Sequence, residues 1–505
     1  MELEFSSFLF LLSFLAFLFI RGKLGTYYKP KLLPPGPWNL PFIGNLHLFA
    51  GSNPPHHTLK ALAKKYGPLM HLKLGEVDTI IVSSPEIAKE LLKTHDIVFA
   101  ARPSLLVAEI SCYGNTDVAF APYGEYWRQL RKICTLELLS ARRVLSFRQI
   151  REDEVSGLCK WIAMQAGSPI NLTQRLGMTN NDIIARAALG NKTNDKSEFI
   201  SVVRESVKFF SVFHSFDAYP SIKLFRLISA SKRKIEKLHR QSDRIIGKII
   251  NERKRDNFAR IDKGEKQNDL LDVLLEIQGA GSLDLPLTID NIKAVLVEMF
   301  GAGTETSTVV VDWAMAEMLR NPRVLQKAQD EVRQVFDGKQ NLSESYIDEL
   351  KYLKLVIKET LRLHPPTPLI PRESRDRCEI NGYEITAGTR VLVNAFAIGR
   401  DPEYWEDAKK FKPERFLEKS VDFRANSFEY IPFGAGRRIC PGITFGMANV
   451  ELPLAMILYH FDWTLPDGMK PGDLKMTELF GFTSRRKHDL CVVPAVKRPL
   501  LANSI

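Results

Sequence analysis

The sequence predicts a mainly α-helical domain with a minor β-sheet region, behind a single N-terminal transmembrane helix. Three observations carry this prediction: apolar residues recur at helical spacing through most of the 505 residues, only short runs alternate as strands do, and an uncharged run stands near the N-terminus. The predicted helices are 58–65, 86–93, 123–138, 144–166, 289–318, 324–336, 350–363 and 443–459, with a basic helix within 221–260. The predicted strands are 69–74, 79–83 and 390–394.

The N-terminus predicts a retained membrane anchor. Residues 5–20 carry no charge, Glu2 and Glu4 precede them, and Arg21 and Lys23 follow. A cleaved signal peptide, which is the alternative, normally has its positive charge before the apolar run. Positive charge after the run places the N-terminus in the lumen and the remainder in the cytosol, and the short run suits the thin endoplasmic reticulum membrane.

A proline-rich segment separates this anchor from the remainder. Prolines at 34, 35 and 37 fix the backbone and predict a stiff, extended arm. Past residue 40 there is no second linker and no internal repeat, and six cysteines are too few for a disulfide scaffold. We therefore predict an anchor over 1–21, a basic and proline-rich hinge over 22–40, and a single domain over 41–505.

The formal net charge of +11 comes largely from one stretch. Residues 221–260 hold thirteen Lys and Arg against four Asp and Glu, interleaved with apolar residues at helical spacing. This pattern predicts an amphipathic helix with a solvated basic face; a face that also meets an anionic membrane or an acidic partner is the alternative. No aromatic residues interleave with these charges as base stacking would require, so nucleic-acid binding is not predicted.

One of the six cysteines stands in a distinctive context. The cysteines include no C-x-x-C pair, which argues against zinc and dithiol sites. Cys440 lies in a glycine-rich loop that includes Arg437 and Arg438, directly before the helix predicted over 443–459. A helix N-terminus and two guanidiniums favour a thiolate. A single fixed thiolate suits an axial ligand to haem iron, and a nucleophilic cysteine stays open as an alternative.

The segment Phe433-x-x-Gly436-x-Arg438-x-Cys440-x-Gly442 resembles, position by position, the haem-binding loop of the cytochrome P-450 family. Four further motifs follow the family's order, and their wording is similar to that of plant microsomal enzymes that oxidise terpenoids. The resemblance implies the cytochrome P-450 fold and haem b (iron-protoporphyrin IX), with Cys440 as the axial thiolate and metal ligand. It also implies that Phe433 contacts the cofactor.

The same resemblance assigns catalytic residues. In the predicted helix 289–318, the segment 302–307 contains a glycine, an acid and two hydroxyls, which are poor helix formers and weaken the local hydrogen-bond ladder. The resemblance implies that Thr306 hydrogen-bonds the iron-bound oxygen and that Glu305 relays protons from solvent. An acid beside a hydroxyl is suited to proton delivery.

Two further sets of residues follow from the resemblance. Trp127, Arg131, Arg372 and Arg438 match positions that neutralise or hydrogen-bond the two haem propionates. Glu359 and Arg362, three residues apart and therefore on one helical face, match a buried network with Arg415 whose role is structural.

The resemblance also places an apolar substrate pocket around the distal side of the cofactor. Its predicted residues are Leu106, Ile110, Phe210, Val297, Gly301, Ala302, Leu369, Ile370 and Phe482. Gly301 stands where near relatives often have alanine, which predicts extra space beside the iron. A wall of this kind suits a hydrocarbon-like substrate such as a terpenoid of plant specialised metabolism. Alkaloid and phenylpropanoid or flavonoid substrates stay open as alternatives.

The predicted partners follow from missing cofactor motifs, from basic residues and from an aromatic segment. It has no flavin or nicotinamide fingerprint, so the resemblance implies that an NADPH–cytochrome P-450 reductase supplies electrons and that NADPH acts only indirectly. The basic residues Arg128, Lys132, Arg142, Arg143 and Arg437 predict its docking face. The aromatic segment 209–225 predicts a second contact with membrane lipid, with ordinary packing as the alternative.

The sequence thus predicts a membrane-bound monooxygenase of the endoplasmic reticulum that uses O2 to hydroxylate an apolar small molecule. Two other functions remain open: a haem-thiolate isomerase or dehydratase acting without O2, and a haem or sterol binder without turnover. The isomerase or dehydratase would not need the acid and hydroxyl at Glu305 and Thr306, and substrate-dependent consumption of NADPH would separate an enzyme from a binder.

Overall fold

The computed structural model describes residues 33–190, 196–210, 215–222, 225, 229–261, 269–281, 283–339, 342–419, 421–424, 427–481 and 483–500. The predicted anchor, the first part of the predicted hinge and Phe482 lie outside these residues. Where the hinge is described, it extends along the domain: the carbonyl of Pro35 accepts a hydrogen bond from the backbone of His71 at 3.0 Å.

Helices make up most of the described chain. They are Pro55–Tyr66, Pro85–Lys89, Leu106–Ser111, Glu125–Ile133, Ala141–Ser146, Arg148–Met164, Leu172–Leu189, Lys196–Val207, Ser215–Ala218, Ala230–Ile261, Leu270–Ala280, Ile289–Arg320, Pro322–Phe336, Lys351–Leu363, Ala395–Ile398, Arg415–Glu418 and Ile443–His460. The 3₁₀ helices are Leu46–Phe49, Glu344–Glu349, Pro466–Gly468 and Pro471–Asp473, and the π turns are Glu90–Thr94 and Cys134–Leu138.

The strands form four small sheets. They are β1 (Leu69–Leu74), β2 (Val77–Val82), β3 (Ile170–Asn171), β4 (Leu369–Glu373), β5 (Cys378–Ile380), β6 (Tyr383–Ile385), β7 (Arg390–Asn394), β8 (Phe461–Thr464), β9 (Glu478–Phe480), β10 (Ser484–Arg486) and β11 (Cys491–Val496). The largest sheet has the order β1-β2-β7-β4, with β2 and β7 parallel and its other pairs antiparallel. The prediction of a mainly helical domain with a minor sheet region is confirmed.

The helix Ile289–Arg320, here called the central helix, forms the middle of the domain. Thr288 caps its first turn, and Asn291 completes the capping box by accepting from the backbone N–H of Thr288 at 2.9 Å. It packs on the helices Leu172–Leu189 and Ile443–His460. Among the described helices it is also the one long and apolar enough to cross a membrane. Its burial in the core accounts for that composition.

The basic helix spans Ala230–Ile261 and is amphipathic, as predicted. Ile235, Ile245 and Ile249 are buried on its inner face. The predicted helix 144–166 is instead two helices, which end and begin on either side of Phe147. The helices Leu172–Leu189, Lys196–Val207 and Leu270–Ala280 were not predicted.

Candidate active site

Residues 432–442, here called the thiolate loop, hold Cys440 in place through their backbone. Gly436 has φ +71°, and a Cβ there would lie 2.2 Å from the carbonyl oxygen of Leu92, so only glycine fits. The backbone N–H of Cys440 donates to the carbonyl of Phe433 at 3.0 Å. Gly442 then caps the helix Ile443–His460. The loop therefore fixes one sulfur at the start of a buried helix.

Two adjoining cavities meet at Cys440. Both are lined by Glu298, Ala302 and Thr306 of the central helix and by the thiolate loop. The rest of the first cavity is largely apolar, with walls that include Val118, Ala119, Phe120, Val310, Leu361, Ile370, Pro371, Met447 and Val450. Cys440 and Thr306 thus line the same largely apolar space.

Burial raises the pKa of the Cys440 thiol, which is the largest influence on it. The Gly442 backbone N–H and the Arg131 guanidinium lower that pKa, as a ligand loop should. The expectation that Arg437 would favour the thiolate needs correction, because Arg437 turns outward and pairs with Asp96 at 3.4 Å. A metal cation bonded to this sulfur would take the place of its proton.

The cavity wall and the residues directly behind it carry more buried arginines than acids: Arg102, Arg131 and Arg438 line the first cavity with Glu298, whereas Arg372 and Asp117 do not line it. Burial and the neighbouring guanidiniums lower the pKa of Arg372 well below its usual range. The same causes lower the pKa of Arg438 to about 9, and burial lowers that of Arg102 to about 10. The acids beside them are held towards their neutral forms, since burial raises the pKa of Asp117 to about 6 and that of Glu298 to about 8. Such a cluster fits a cofactor with two carboxylates, which haem provides.

The predicted propionate partners are all close to the thiolate loop, but two of them already use most of their donors. Trp127 donates its only N–H to the carbonyl of Val118 at 2.9 Å. Arg438 lies 4.3 Å from the Trp127 ring and donates to the carbonyls of Ala100, Val118 and Ala121. In this geometry Trp127 orders the segment 118–121 and Arg438; a direct bond to a propionate stays a prediction.

Arg131 and Arg372 hold the thiolate loop itself. Arg131 donates to the carbonyl of Ile439 at 2.6 Å, and Arg372 donates to that of Ala435 at 3.3 Å. Phe433 lines the first cavity and packs edge to face on Phe423. The same side chains can therefore position the loop and face an anionic cofactor.

Two charged residues of the cavity wall, Arg102 and Glu298, were not among the predicted site residues. Arg102 donates to the carbonyls of Ala119 and Pro371 and lines the first cavity. Glu298 accepts from the backbone N–H of Val118 at 2.8 Å. Glu298 stands four residues before Ala302 and eight before Thr306, so an acid on that helical face was a usable signal. Arg102 has no comparable local motif.

Thr306 and Glu305 occupy different faces of the central helix. Thr306 lines both cavities and donates its hydroxyl to the carbonyl of Ala302 at 2.7 Å. The helix continues unbroken through this point, so the predicted weakness does not interrupt it. Glu305 lies outside both cavities. Burial raises its pKa, while the Thr483 hydroxyl and the charges of Arg485 and Arg204 lower it.

The structure joins Glu359, Arg362 and Arg415 in one buried network. Arg362 donates to both carboxylate oxygens of Glu359 at 2.7 and 2.8 Å, and Arg415 donates to one of them at 3.0 Å. Arg362 also donates to the carbonyls of Gly399 and Ala408. None of the three lines the cavities, so their contacts fit a structural role.

Only part of the predicted substrate pocket lines the cavities. Ala302 and Ile370 do, but the neighbour of Ile370, Leu369, packs into the core beneath the large sheet because successive strand residues face opposite sides. A Cβ at Gly301 would lie 3.2 Å from Val207, so this glycine faces the helix Lys196–Val207 and adds no space beside Cys440. That expectation needs correction.

The remaining predicted pocket residues lie in packing clusters. Leu106 is buried and donates its backbone N–H to Asp217 at 2.9 Å. Ile110 and Phe210 pack with Phe120, which is the member of their cluster that reaches the cavity. Val297 packs into the main core. Phe482 lies outside the described residues.

The comparisons with known proteins agree with this site. Residues 34–492 match the family model for cytochrome P-450, so the chain belongs to that family. It is a cytochrome P-450 monooxygenase, with haem held by an axial thiolate and electrons that originate from NADPH through a reductase. Two solved zebrafish cytochrome P-450 structures, one with abiraterone and one with progesterone, share its fold. Their TM-scores are 0.73 and 0.74 at 24% identity, over 88% of this chain and 100% of theirs.

Plant enzymes are similar over the whole chain. Premnaspirodiene oxygenase of Hyoscyamus muticus is 52% identical over 98% of this chain and 99% of its own. Salviol synthase of Salvia pomifera is 52% identical over 99% of both chains. Desmethyl-deoxy-podophyllotoxin synthase of Sinopodophyllum hexandrum is 51% identical over 96% of both. The relatives of this chain within the family therefore include terpenoid oxygenases.

Proposed function

We propose that this monooxygenase hydroxylates a C–H bond of a terpenoid, in the endoplasmic reticulum membrane of a plant cell. The observation that carries the proposal is the wall of the cavity at Cys440, which offers Phe120, Val310, Ile370 and Val450 but few polar groups to a substrate. Apolar walls of this kind select by shape and exclude water. Two full-length relatives are named as terpenoid enzymes, which favours the same class here.

The residues of the site have different roles in the proposed reaction. Haem bound through Cys440 supplies the oxygen chemistry: one atom of O2 enters the C–H bond and the other leaves as water, with two electrons and two protons. Arg102, Arg131 and Arg372 neutralise the cofactor's carboxylates. Thr306 presents a hydroxyl to the cavity, and Glu305, on the adjacent face, passes protons from solvent towards it.

Membrane attachment rests on the apolar run 5–20 and on an exposed apolar patch at the start of the described chain. Trp38 is 74% exposed and Phe42 46% exposed. The hydroxyl of Tyr219 donates to the carbonyl of Phe42 at 3.3 Å, and Phe225 packs on Tyr219 with 38% of its surface exposed. These exposed aromatic residues provide a surface for lipid.

The orientation of this anchor is testable. A glycosylation acceptor fused before Met1 should receive sugar in microsomes, because the N-terminus lies in the lumen. The acceptor at Asn171 should stay unmodified. The side chain of Asn171 caps the helix Leu172–Leu189 by accepting from the backbone of Gln174 at 2.9 Å. Sugar on Asn171 and none on the fused acceptor would reverse the topology.

The reductase meets the basic side of the thiolate loop. Arg128, Lys132 and Arg143 line a surface groove that also carries five acidic residues. Arg437, on the thiolate loop, is about half exposed. An acidic face on the flavoprotein would be complementary to these charges, which steers association at low salt.

The substrate class is tested by expression with a plant NADPH–cytochrome P-450 reductase. A panel of sesqui-, di- and triterpene precursors is supplied, with phenylpropanoids and alkaloids as comparators, and products are identified by mass spectrometry. A hydroxylated terpenoid that needs NADPH and O2 supports the proposal. If only the phenylpropanoids or alkaloids were converted, the terpenoid proposal would be wrong. The substrate class would then be the one suggested by the relative whose name contains podophyllotoxin. Turnover without NADPH would indicate an isomerase or dehydratase.

A further inference from the structure

A second cluster of ligand-type side chains lies away from the active site. His56 and His57, in the first turn of the helix Pro55–Tyr66, meet Glu478 at the start of β9. The Nε2 atoms of the two histidines lie 2.6 and 2.9 Å from the same carboxylate oxygen, Oε2 of Glu478. The cluster joins segments more than 400 residues apart, and neither the thiolate loop nor the central helix supplies a member of it.

Aromatic packing orients both imidazoles. His56 is fully buried and meets the Phe396 ring edge to face, with 4.6 Å between the ring centroids. His57 lies 4.3 Å from the same ring, and 42% of its side chain remains exposed. Since the rings are held by packing, their Nε2 atoms are arranged towards one point in advance of any ligand. The exposed side of His57 leaves a path from solvent.

Further titratable side chains are close to this cluster. His364 links Glu478 to a second carboxylate, since its Nε2 lies 2.7 Å from Glu317 and its Nδ1 lies 3.6 Å from Glu478. That Nδ1 atom is buried and makes no hydrogen bond. Two guanidiniums also act on these carboxylates: Arg400, which lies over Phe396 at 3.7 Å, acts on Glu478, and Arg486 acts on Glu317.

We propose that His56, His57 and Glu478 form a binding site for a divalent transition metal, with zinc as the best match. Two imidazoles and one carboxylate, with water in the fourth position, are a ligand set that zinc uses. The present N···O separations are hydrogen bonds, so when zinc binds each Nε2 gives up its proton, which moves to the Nδ1 atom of the same ring or to solvent. Zinc bonds of about 2.0–2.2 Å in a tetrahedron need separations of roughly 3.3 Å, so Glu478 moves back by about half an ångström.

Two neighbouring side chains can hold the Glu478 carboxylate after that movement. The hydroxyl of Ser484 donates to Oε2 of Glu478 at 3.2 Å. The Nδ1 atom of His364 lies 3.6 Å from the other carboxylate oxygen, Oε1. Outer hydrogen bonds of this kind orient ligands to a metal. The Nδ1 atom of His56 has no hydrogen-bond partner, so the site is expected to bind zinc less tightly than a structural zinc site does.

Bound zinc would join the first helix to the hairpin of β9 and β10. The same hairpin carries Thr483, whose hydroxyl lowers the pKa of Glu305 on the central helix. The proposed zinc site is therefore connected through this hairpin to Glu305, the residue that we place on the proton route. The monooxygenase reaction does not require zinc at this site.

The test is zinc binding by haem-loaded, full-length protein without a polyhistidine tag. Equilibrium dialysis against zinc chloride, followed by elemental analysis, gives bound zinc per haem for the unmodified protein, His57→Gln and His488→Gln. His57 and His488 are both exposed, so neither change removes a core side chain. The carbon monoxide spectrum of each sample shows that the haem site is intact.

We expect His57→Gln to lose one equivalent of zinc, or to bind it at least about tenfold more weakly, since even outer-shell changes weaken metal binding by that factor. His488→Gln should bind as the unmodified protein does. Zinc should also raise the unfolding temperature of the unmodified protein but not that of His57→Gln. Equal zinc binding by the unmodified protein and His57→Gln, or no zinc bound by either, overturns the proposal. Glu478→Gln, which must also lose the site, provides a second test.

Discussion

The substitution Glu359→Gln probes the network that supports the haem side of the core. The Glu359 side chain is fully buried, and its carboxylate accepts three hydrogen bonds from two arginines and a fourth from the backbone N–H of Lys412 at 2.8 Å. Glutamine keeps the shape but removes the only charge that faces both guanidiniums within hydrogen-bond distance. Its amide nitrogen also meets donors where an acceptor stood.

The expected cost follows from this geometry. Removing one partner of a buried ion pair typically destabilises a protein by about 3–5 kcal/mol, because the other charge stays buried. We expect the free energy of unfolding to fall by that amount, out of a typical total of about 5–15 kcal/mol. Urea unfolding of the haem-loaded protein, followed by circular dichroism and by the Soret band, measures the change.

Glu349→Gln is the matched control, because Glu349 is exposed and its contact with Lys339 is at 4.0 Å. That change should shift the free energy of unfolding by less than about 1 kcal/mol. A similarly small effect of Glu359→Gln would refute the reasoning. It would mean that the carbonyls of Gly399 and Ala408 are sufficient to hold Arg362 without its carboxylate partner.

Three further outcomes are expected. Thr306→Ala should retain haem but divert reduced oxygen to hydrogen peroxide, because it removes the hydroxyl that lines the cavity; NADPH, peroxide and product are measured together, and unchanged coupling would contradict the role. Gly301→Ala should leave the product pattern unchanged and alter stability by no more than about 1 kcal/mol, because the tight 3.2 Å approach to Val207 opposes a gain in helix propensity. A shifted product ratio would show that position 301 does reach the substrate. Arg128→Glu with Lys132→Glu should slow reductase-supported reduction and weaken its dependence on salt, while reduction by dithionite stays normal. Equal rates of reductase-supported reduction in the variant and the unmodified protein, at all salt concentrations, would contradict the predicted docking face.

Sequence spacing was sufficient where a residue's partners are local. Glu359 and Arg362 are three residues apart in one helix, and their contact needed no tertiary information. The glycine-rich loop likewise pointed to Cys440. Strands β1 and β7 have the predicted bounds, although all five residues of β7 are buried, so its strand does not show the alternation that predicted it.

Contacts between distant segments were not predictable in this way. Arg102 reaches the carbonyl of Pro371, 269 positions along the chain, and no local motif marks it. Which of Leu369 and Ile370 faces the cavity depends on what covers each side of β4. Gly301 faces a neighbouring helix that the periodicity did not reveal. The split of the predicted helix at Phe147 is a tertiary effect of the same kind, since Phe147 packs against Phe445.

The central claim is that Cys440 is the thiolate ligand of haem in a cytochrome P-450 monooxygenase. The carbon monoxide difference spectrum of the dithionite-reduced protein tests it most directly, with Cys134→Ala as a control because Cys134 lines the adjoining cavity. We predict the red-shifted Soret band of a thiolate ligand in the unmodified protein and in Cys134→Ala, and its loss in Cys440→Ala. A thiolate-type band that persists in Cys440→Ala would contradict the account.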